Sequence, residues 1–448
     1  MNDLLWKKTE DFDFDDPPSE YSFSIRLAHE NCWTENFTIN AIKEYKKFMF
    51  LAAVSEEMVS PSDIIDKVWH QHLIFTKSYQ VFCKILGKQI QHIPSTHHRN
   101  ESESFKEAKK RTEKLYLKNF GHIPEEFWKS ASIPSGLYLK QSRFNVTQIT
   151  NLVIGTSILL LFPLYLTFHE TIATVENDQF YISYFFLVTF SLAIVYRFNT
   201  LGKKELIETF RNQSLIKNLS RPEIIYLIFS DVSHSIKLSV DGLIGKQIIN
   251  VNDDKTLSAK KSCENLSAEE TQMILQIESF GKIHFAHLKA YLLKKPFYKN
   301  VSQSMDEIKK HLLQSKLFVK IFSVNLTVCA VLMITGILRL ATGISREKPV
   351  ACLCVLLLIM ITVTFLHLKR LSQNMIVGIF RNKFRSRQKS SESEDTDFEF
   401  AYLTPLLMTS SMVYNNSSVF SEGADSGFSN ESSCGGSSCG SCGGCGGD

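Results

Sequence analysis

Acidic residues are absent from the four longest apolar stretches of this 448-residue chain, and each stretch is uncharged through its centre. Pumps and transporters usually hold ionisable groups at mid-membrane. Here His169, Arg197, Arg339 and His367 stand only at the edges, which counts against that class. The chain also has little basic excess, 50 Lys+Arg against 46 Asp+Glu, so no overall positive field points to nucleic acid. The N-terminus, MNDLLWKKTEDFDFDDPPSEY, has no apolar core of the signal-peptide kind, and export by that route is not expected. The ten cysteines form no secreted disulfide framework. Cys32, Cys83 and Cys263 are scattered, Cys329, Cys352 and Cys354 lie in apolar runs, and the rest crowd the C-terminus. No Ser-His-Asp order and no HExxH helix is present to mark a hydrolase.

What is present is membrane-spanning sequence. Asn145 to Phe168 is uncharged, and at ~1.5 Å per residue LVIGTSILLLFPLYLTF covers most of a ~30 Å bilayer core. Pro163 inside it predicts a kink. Phe180 to Tyr196 is the second span, and Ile321 to Leu338 with Val350 to Leu366 repeat the pattern. The spacing predicts two transmembrane hairpins, over 148–198 and 320–368. The first connector has no Lys or Arg. The opposite ends carry Lys140, Arg143, Arg197, Lys203, Lys204, Lys316, Lys320, Lys369 and Arg370, so both termini and the 199–319 loop are expected in the cytosol of a multi-pass cell-membrane protein. Arg339, Arg346 and Lys348 are the dissenting charges, and Arg339 can snorkel to the interface.

Residues 1–20 read as a disordered acidic terminus and 21–135 as an all-α cytosolic domain. Phe37, Ala41, Ile42, Tyr45, Phe48, Met49 and Ala52 recur at helical spacing. The next helix is expected to begin at Ser60 as N-cap with Pro61 behind it, and to run unbroken to Gly87 as C-cap. On it Asp66 and His70 are one turn apart and can pair. His72, Tyr79 and Cys83 lie on another face, and His92 follows the helix. His70 and His72 point to opposite sides, so they cannot share one ion while the helix holds. Two readings remain open: structural packing around Trp69 and Tyr79, or a metal or catalytic site of the N/S type zinc favours.

Asp66, Trp69, His70, His72, Tyr79, Cys83 and His92-Ile-Pro94, with FGHIPEEFW at 120–128, resemble the N-terminal domain of glycine-rich domain-containing proteins of plants and bacterial relatives. That resemblance implies a family without a defined activity.

The 199–319 loop is too patterned for a linker. Ser220-Arg-Pro-Glu223 and Ser267-Ala-Glu-Glu270 match the capping box. A helix from Asp231 ending at Asp241-Gly242, then two strands around an Asn-Asp-Asp turn, give a winged-helix-like α+β order. Its would-be recognition helix has Lys237 as the single formal cation, so nucleic acid is an unlikely partner and protein contact the expected one. Residues 369–390 read as a basic amphipathic juxtamembrane segment, either lying on an anionic leaflet or serving as a solvated stop-transfer flank. Residues 391–448 read as a disordered Ser/Gly/Cys tail. There Cys434, Cys439, Cys442 and Cys445 have enough thiolates for a tetrahedral metal but no fold to order them. From the first span onward the plan resembles an uncharacterised family of bacterial membrane proteins with a Cys/Gly-rich C-terminus.

The expectation is thus a mostly α, four-span membrane protein acting through the bilayer and cytosolic protein partners as a non-enzymatic interaction or scaffold module. The alternative is a metal-dependent or thiol enzyme built on His70, His72, Cys83 and His92. No cofactor is fixed by the sequence, and zinc is the metal those donors favour.

Overall fold

The computed structural model describes residues 3–17, 19–93, 99–129, 139–211, 213–260, 266–388 and 445–446. In chain order the elements are α1 (Asp3–Glu10), α2 (Phe23–Asn31), α3 (Glu35–Val54), α4 (Asp63–Ile74), α5 (Thr76–Leu86), β1 (Gln91–His92), α6 (Arg99–Phe120) and α7 (Glu125–Trp128). There follow α8 (Val146–Thr174), α9 (Asn177–Arg211), α10 (Ser214–Lys217), α11 (Arg221–Phe229), α12 (Ser233–Gly245), β2 (Ile249–Val251) and β3 (Thr256–Ala259). The last are α13 (Ala268–Phe280), β4 (Ile283–His284), α14 (Phe285–Leu292), α15 (Pro296–Leu313), α16 (Lys316–Ser345), α17 (Ala351–Gln388) and β5 (Cys445–Gly446). The described residues form two compact units, one from 3–129, 218–307 and 445–446, the other from 139–217 and 308–388.

In the first unit α3 is the organising helix. Its 3.6-residue periodicity buries Phe37, Ala41, Tyr45, Phe48 and Met49, and it packs on α1, α2, α4 and α6. Burying a large apolar side chain contributes ~1.5–3 kcal/mol, so this stripe outweighs any difference in helix propensity along α3. Glu44 on the same helix is buried, and its charge is matched: Tyr116 Oη donates to it at 2.8 Å, Trp128 Nε1 at 2.9 Å and Lys47 Nζ at 2.7 Å. These bonds tie α6 and α7 to α3 through one carboxylate.

Several expectations need correction. The acidic N-terminus is not disordered: α1 sets Trp6 against Phe50 and Phe120, and Phe14 beyond it is buried among Phe23, Tyr45 and His72. Aromatic burial outweighs the acidic composition that suggested a loose segment. The cap of α4 is Ser62, whose side chain accepts from Ile65 N. Ser60 instead exchanges backbone bonds with the Thr112 hydroxyl of α6. The expected single helix to Gly87 breaks at Phe75 (φ −85°, ψ 60°) into α4 and α5, and the Gly87 cap is present with φ +73°. The break turns α5 so that Ser78 and Tyr79 meet α4.

The 218–307 part of this unit keeps both capping boxes, at Ser220/Glu223 and Ser267/Glu270. α12 runs on through Gly242 to Gly245, and a third strand joins the expected pair, giving the antiparallel order β2-β3-β4. This part binds the N-terminal helices directly. Glu35 N–H donates to Glu223 at 2.8 Å, Asn300 Nδ2 to Trp33 O at 2.9 Å and Gln272 Nε2 to Ser19 O at 3.3 Å, while Lys295 pairs with Glu20.

The second unit holds α8, α9, α16 and α17, each long and apolar enough to cross a membrane. α8 continues unbroken through Pro163. The two hairpins do not pack as separate pairs: α16 is central, meeting α8, α9 and α17, with its most extensive contact on α8. Gly336 permits a close approach of α17, since a Cβ there would meet Leu357 Cδ2 at 2.5 Å. Arg339 does not snorkel to water. It is buried, donating to the carbonyls of Ile172 and Val175 and to Asn177 Oδ1, with its guanidinium 5.0 Å from the Phe180 ring centre. Arg346 adds a bond to Ala173 O at 2.6 Å. Two of the charges that dissent from the expected topology, Arg339 and Arg346, therefore cap the C-terminal carbonyls of α8.

The juxtamembrane segment, through residue 388, is a continuation of α17, and Leu371, Met375, Ile376, Ile379 and Phe380 are buried. α9 and α17 have 35 and 38 residues. At ~1.5 Å per residue both are longer than a ~30 Å bilayer core is thick. Residues 391–444 of the tail, with Cys434, Cys439 and Cys442, lie outside the described residues. The backbone of Cys445–Gly446 pairs antiparallel with Gln91–His92, in a register that opposes Cys445 to His92.

Candidate functional site

The histidine motif divides at α4 into two sets with different surroundings, because residues 70 and 72 leave the helix about 200° apart. One set is exposed. Asp66 Oδ1 accepts from His92 Nε2 at 3.0 Å, and Asp66 Oδ2 lies 3.4 Å from His70 Nε2. An ionised carboxylate can only accept, so the proton of the closer bond is on His92 Nε2. The two imidazoles are 4.5 Å apart between centres. Asp66, His70 and His92 thus bring three ligand atoms within 4.8 Å of one another, on a helix and the strand that follows. The side chains of Asp66 and His92 are 11% and 8% exposed and that of His70 44%, so the cluster opens to solvent on the His70 side.

Trp69 and Tyr79 hold this arrangement without joining it. The Trp69 ring is fully buried and stands 4.4 Å from His92, edge to face. Its Nε1 donates to Tyr79 Oη at 3.2 Å, and that hydroxyl donates to the carbonyl of Ile90, two residues before His92. Tyr79 therefore pins the start of β1 to α5, which fixes where His92 meets α4. Sequence reasoning paired Asp66 with His70 alone. The closer and more buried partner is His92, brought back by a turn whose direction no periodicity encodes.

The other set is sealed. His72 is fully buried, with Nδ1 2.9 Å from Tyr45 Oη and Nε2 3.2 Å from Ser78 Oγ. Phe14, Phe23, Tyr79 and Phe82 surround the ring. Burial pushes its pKa down to about 3, so it is neutral at ordinary pH. Tyr45 was legible only as a core residue of α3, and its bond to His72 had no sequence signal. Cys83 is a buried free thiol on α5 and is not among the three clustered ligands. Among the described residues the structure therefore brings His70 and His92 together at Asp66 and leaves His72 and Cys83 outside that cluster.

A helical domain with a solvent-open His/Asp cluster, in a chain with four helices apolar enough to span a membrane, is the class of protein these features define. A family model described as UCP032817-like matches residues 19–117, which include all seven motif residues from Asp66 to His92. No curated protein and no solved structure matches the chain.

Proposed function

We propose that the chain is a multi-pass membrane protein whose first unit is a cytosolic interaction module. The observation that carries this reading is the bond from Glu35 N–H to the Glu223 carboxylate. It joins segments that flank α8 and α9 in sequence. If those helices cross a bilayer they must do so as an out-and-back pair, because residues 35 and 223 then share one side. The Lys/Arg bias of the span ends makes that side the cytosol, with both termini there.

Within the module, α11, α12 and the β2-β3 ribbon follow a winged-helix-like order, and the face of α12 is poor in cations for phosphate contact. Protein surfaces are its fitting partners. The resemblances to glycine-rich domain-containing proteins and to bacterial membrane proteins with a Cys/Gly-rich C-terminus agree with an anchored module and add no reaction. A second reading, metal-dependent chemistry in the N-terminal helices, is favoured by the Asp66/His70/His92 cluster.

In a background with the ten native cysteines replaced by Ser, single cysteines placed by Glu176→Cys and Asp253→Cys test the topology with a membrane-impermeant maleimide on intact cells. The first is expected to label from outside and the second only after permeabilisation; labelling of Asp253→Cys in intact cells would end the cytosolic reading. A photo-crosslinker at Lys237 should give a discrete protein adduct in native membranes. Adducts with lipid alone would count against interaction through this face.

A further inference from the structure

We propose that Asp66, His70 and His92 form a binding site for a borderline divalent transition-metal ion, with zinc as its reference occupant. The inference deepens the metal reading above and is independent of membrane topology. Three observations carry it.

The donors have the right type and spacing. Two imidazole nitrogens and one carboxylate oxygen suit zinc, iron(II) or cobalt(II) and not calcium or magnesium, which prefer all-oxygen shells. In a tetrahedral zinc site with bonds of ~2.0–2.1 Å, neighbouring ligand atoms are separated by roughly 3.3 Å. Here His92 Nε2 lies 3.0 Å from Asp66 Oδ1 and His70 Nε2 3.4 Å from Asp66 Oδ2, and one ligand atom from each residue falls within 4.8 Å of the others; binding at His92 Nε2 moves that ring's proton to Nδ1.

The supporting residues are aimed at ligand placement. Trp69 packs on His92, and the Tyr79 hydroxyl bridges Trp69 Nε1 to Ile90 O. An ordinary surface His/Asp pair needs no such frame, whereas metal ligands depend on one to fix ring orientation. Asp66, mostly buried, faces two imidazoles from two different elements, an arrangement that a cation between the three groups would stabilise further.

The site has an entrance. His70 is half exposed, so an ion can arrive from solvent and a water can complete the shell. Three protein ligands plus water is the pattern of zinc sites that activate water or polarise a carbonyl, in contrast to closed four-ligand structural sites. The buried His72 and Cys83 lie elsewhere and cannot close the shell.

The test uses the full chain in detergent with Cys434, Cys439, Cys442 and Cys445 replaced by Ser, so that tail thiolates cannot supply the signal. After chelator treatment and reloading, elemental analysis should find one equivalent of zinc, and cobalt(II) should give the intense visible bands of a tetrahedral N/O site. His70→Ala, Asp66→Asn and His92→Ala should each lose the equivalent, with the exposed control His122→Ala unchanged. Tyr79→Phe should weaken binding by about 10-fold through the freed Ile90 segment. His70→Ala is decisive for folding concerns, because the Asp66–His92 bond survives it; circular dichroism checks this. Failure of the unmutated site to retain zinc, cobalt, manganese or iron(II), or equal retention by His70→Ala, would overturn the proposal. Loss of metal on replacing the tail cysteines, together with full retention by His70→Ala, Asp66→Asn and His92→Ala in the chain that keeps them, would do the same, assigning the binding to the tail. A topology failure in the labelling experiment would leave these readouts unaffected.

Discussion

The carboxylate of Glu223 caps two helices at once: Oε1 accepts from Glu35 N–H, in the first turn of α3, at 2.8 Å, and Oε2 accepts from Ser220 N–H at 2.7 Å. Both helices direct the positive ends of their dipoles at the same buried group. A capping box at Ser220 was visible in the sequence, whereas its second use across 188 residues was not. That bond merges what reads as two domains into one unit.

Glu223→Ala removes both acceptors and leaves the Glu35 N–H buried without a partner. An unmade buried bond costs ~1–3 kcal/mol, so the variant should melt lower and α3 should become an early site in limited proteolysis. A proteolytic pattern that begins only in α11 would mean that the bond to Glu35 contributes nothing.

Arg339 should be irreplaceable by Lys. Its planar fork reaches Ile172 O, Val175 O and Asn177 Oδ1 together, and a single ammonium cannot reproduce that geometry. Arg339→Lys and Arg339→Leu are both expected to lower thermal stability in detergent, the latter by ~1–3 kcal/mol because three acceptors lose their donor. Full retention of stability by the Lys variant would show that only the charge matters.

Asn199 and Asn325 exchange two amide bonds, at 2.9 and 2.7 Å, and Asn325 Oδ1 also accepts from His367 Nε2 at 2.8 Å. Three helices of the second unit thus share one polar level. In a double-mutant cycle, Asn199→Leu and Asn325→Leu should show coupling of roughly 0.6–1.7 kcal/mol, the range found for interhelical bonds in membranes. Additive effects would remove the pair from the account of how α9 meets α16.

The pH dependence of the first unit follows from two opposing groups. Glu269 is buried with its carboxylate bonded by Ser235 and Ser239 at 2.8 Å, and burial raises its pKa from 4.5 to about 7. Between those values the folded state holds a proton that the unfolded state has released, so stability falls as pH rises from about 4.5 to 7. Glu223, raised to about 7 by burial, acts in the same direction. His72 acts oppositely: lowered from 6.5 to about 3, it takes up its proton late, and stability falls as pH drops through that window. Glu269→Gln should therefore flatten the loss of melting temperature between about pH 4.5 and 7, while His72→Gln should flatten the acid side. A Glu269→Gln profile parallel to the unsubstituted protein would contradict the buried-carboxylate explanation.

What the sequence by itself determined was whatever depends on neighbours along the chain. Uncharged runs marked α8, α9, α16 and α17; Ser/Glu spacings marked the starts of α11 and α13; Gly87 marked the end of α5. The opposition of His70 and His72 also followed from helical geometry alone. Only the tertiary structure decided which polar groups meet. A helix reads equally well whether or not it breaks at Phe75, and the acidic composition of the N-terminus concealed the aromatic contacts that bury Phe14. Arg339 reads as a topology signal until α8 supplies carbonyls for it. His92 lies 26 residues from Asp66, beyond two helices and a glycine cap. Their meeting depends on the Tyr79 hydroxyl reaching Ile90 O, a contact between backbone and side chain for which linear sequence carries no periodic trace.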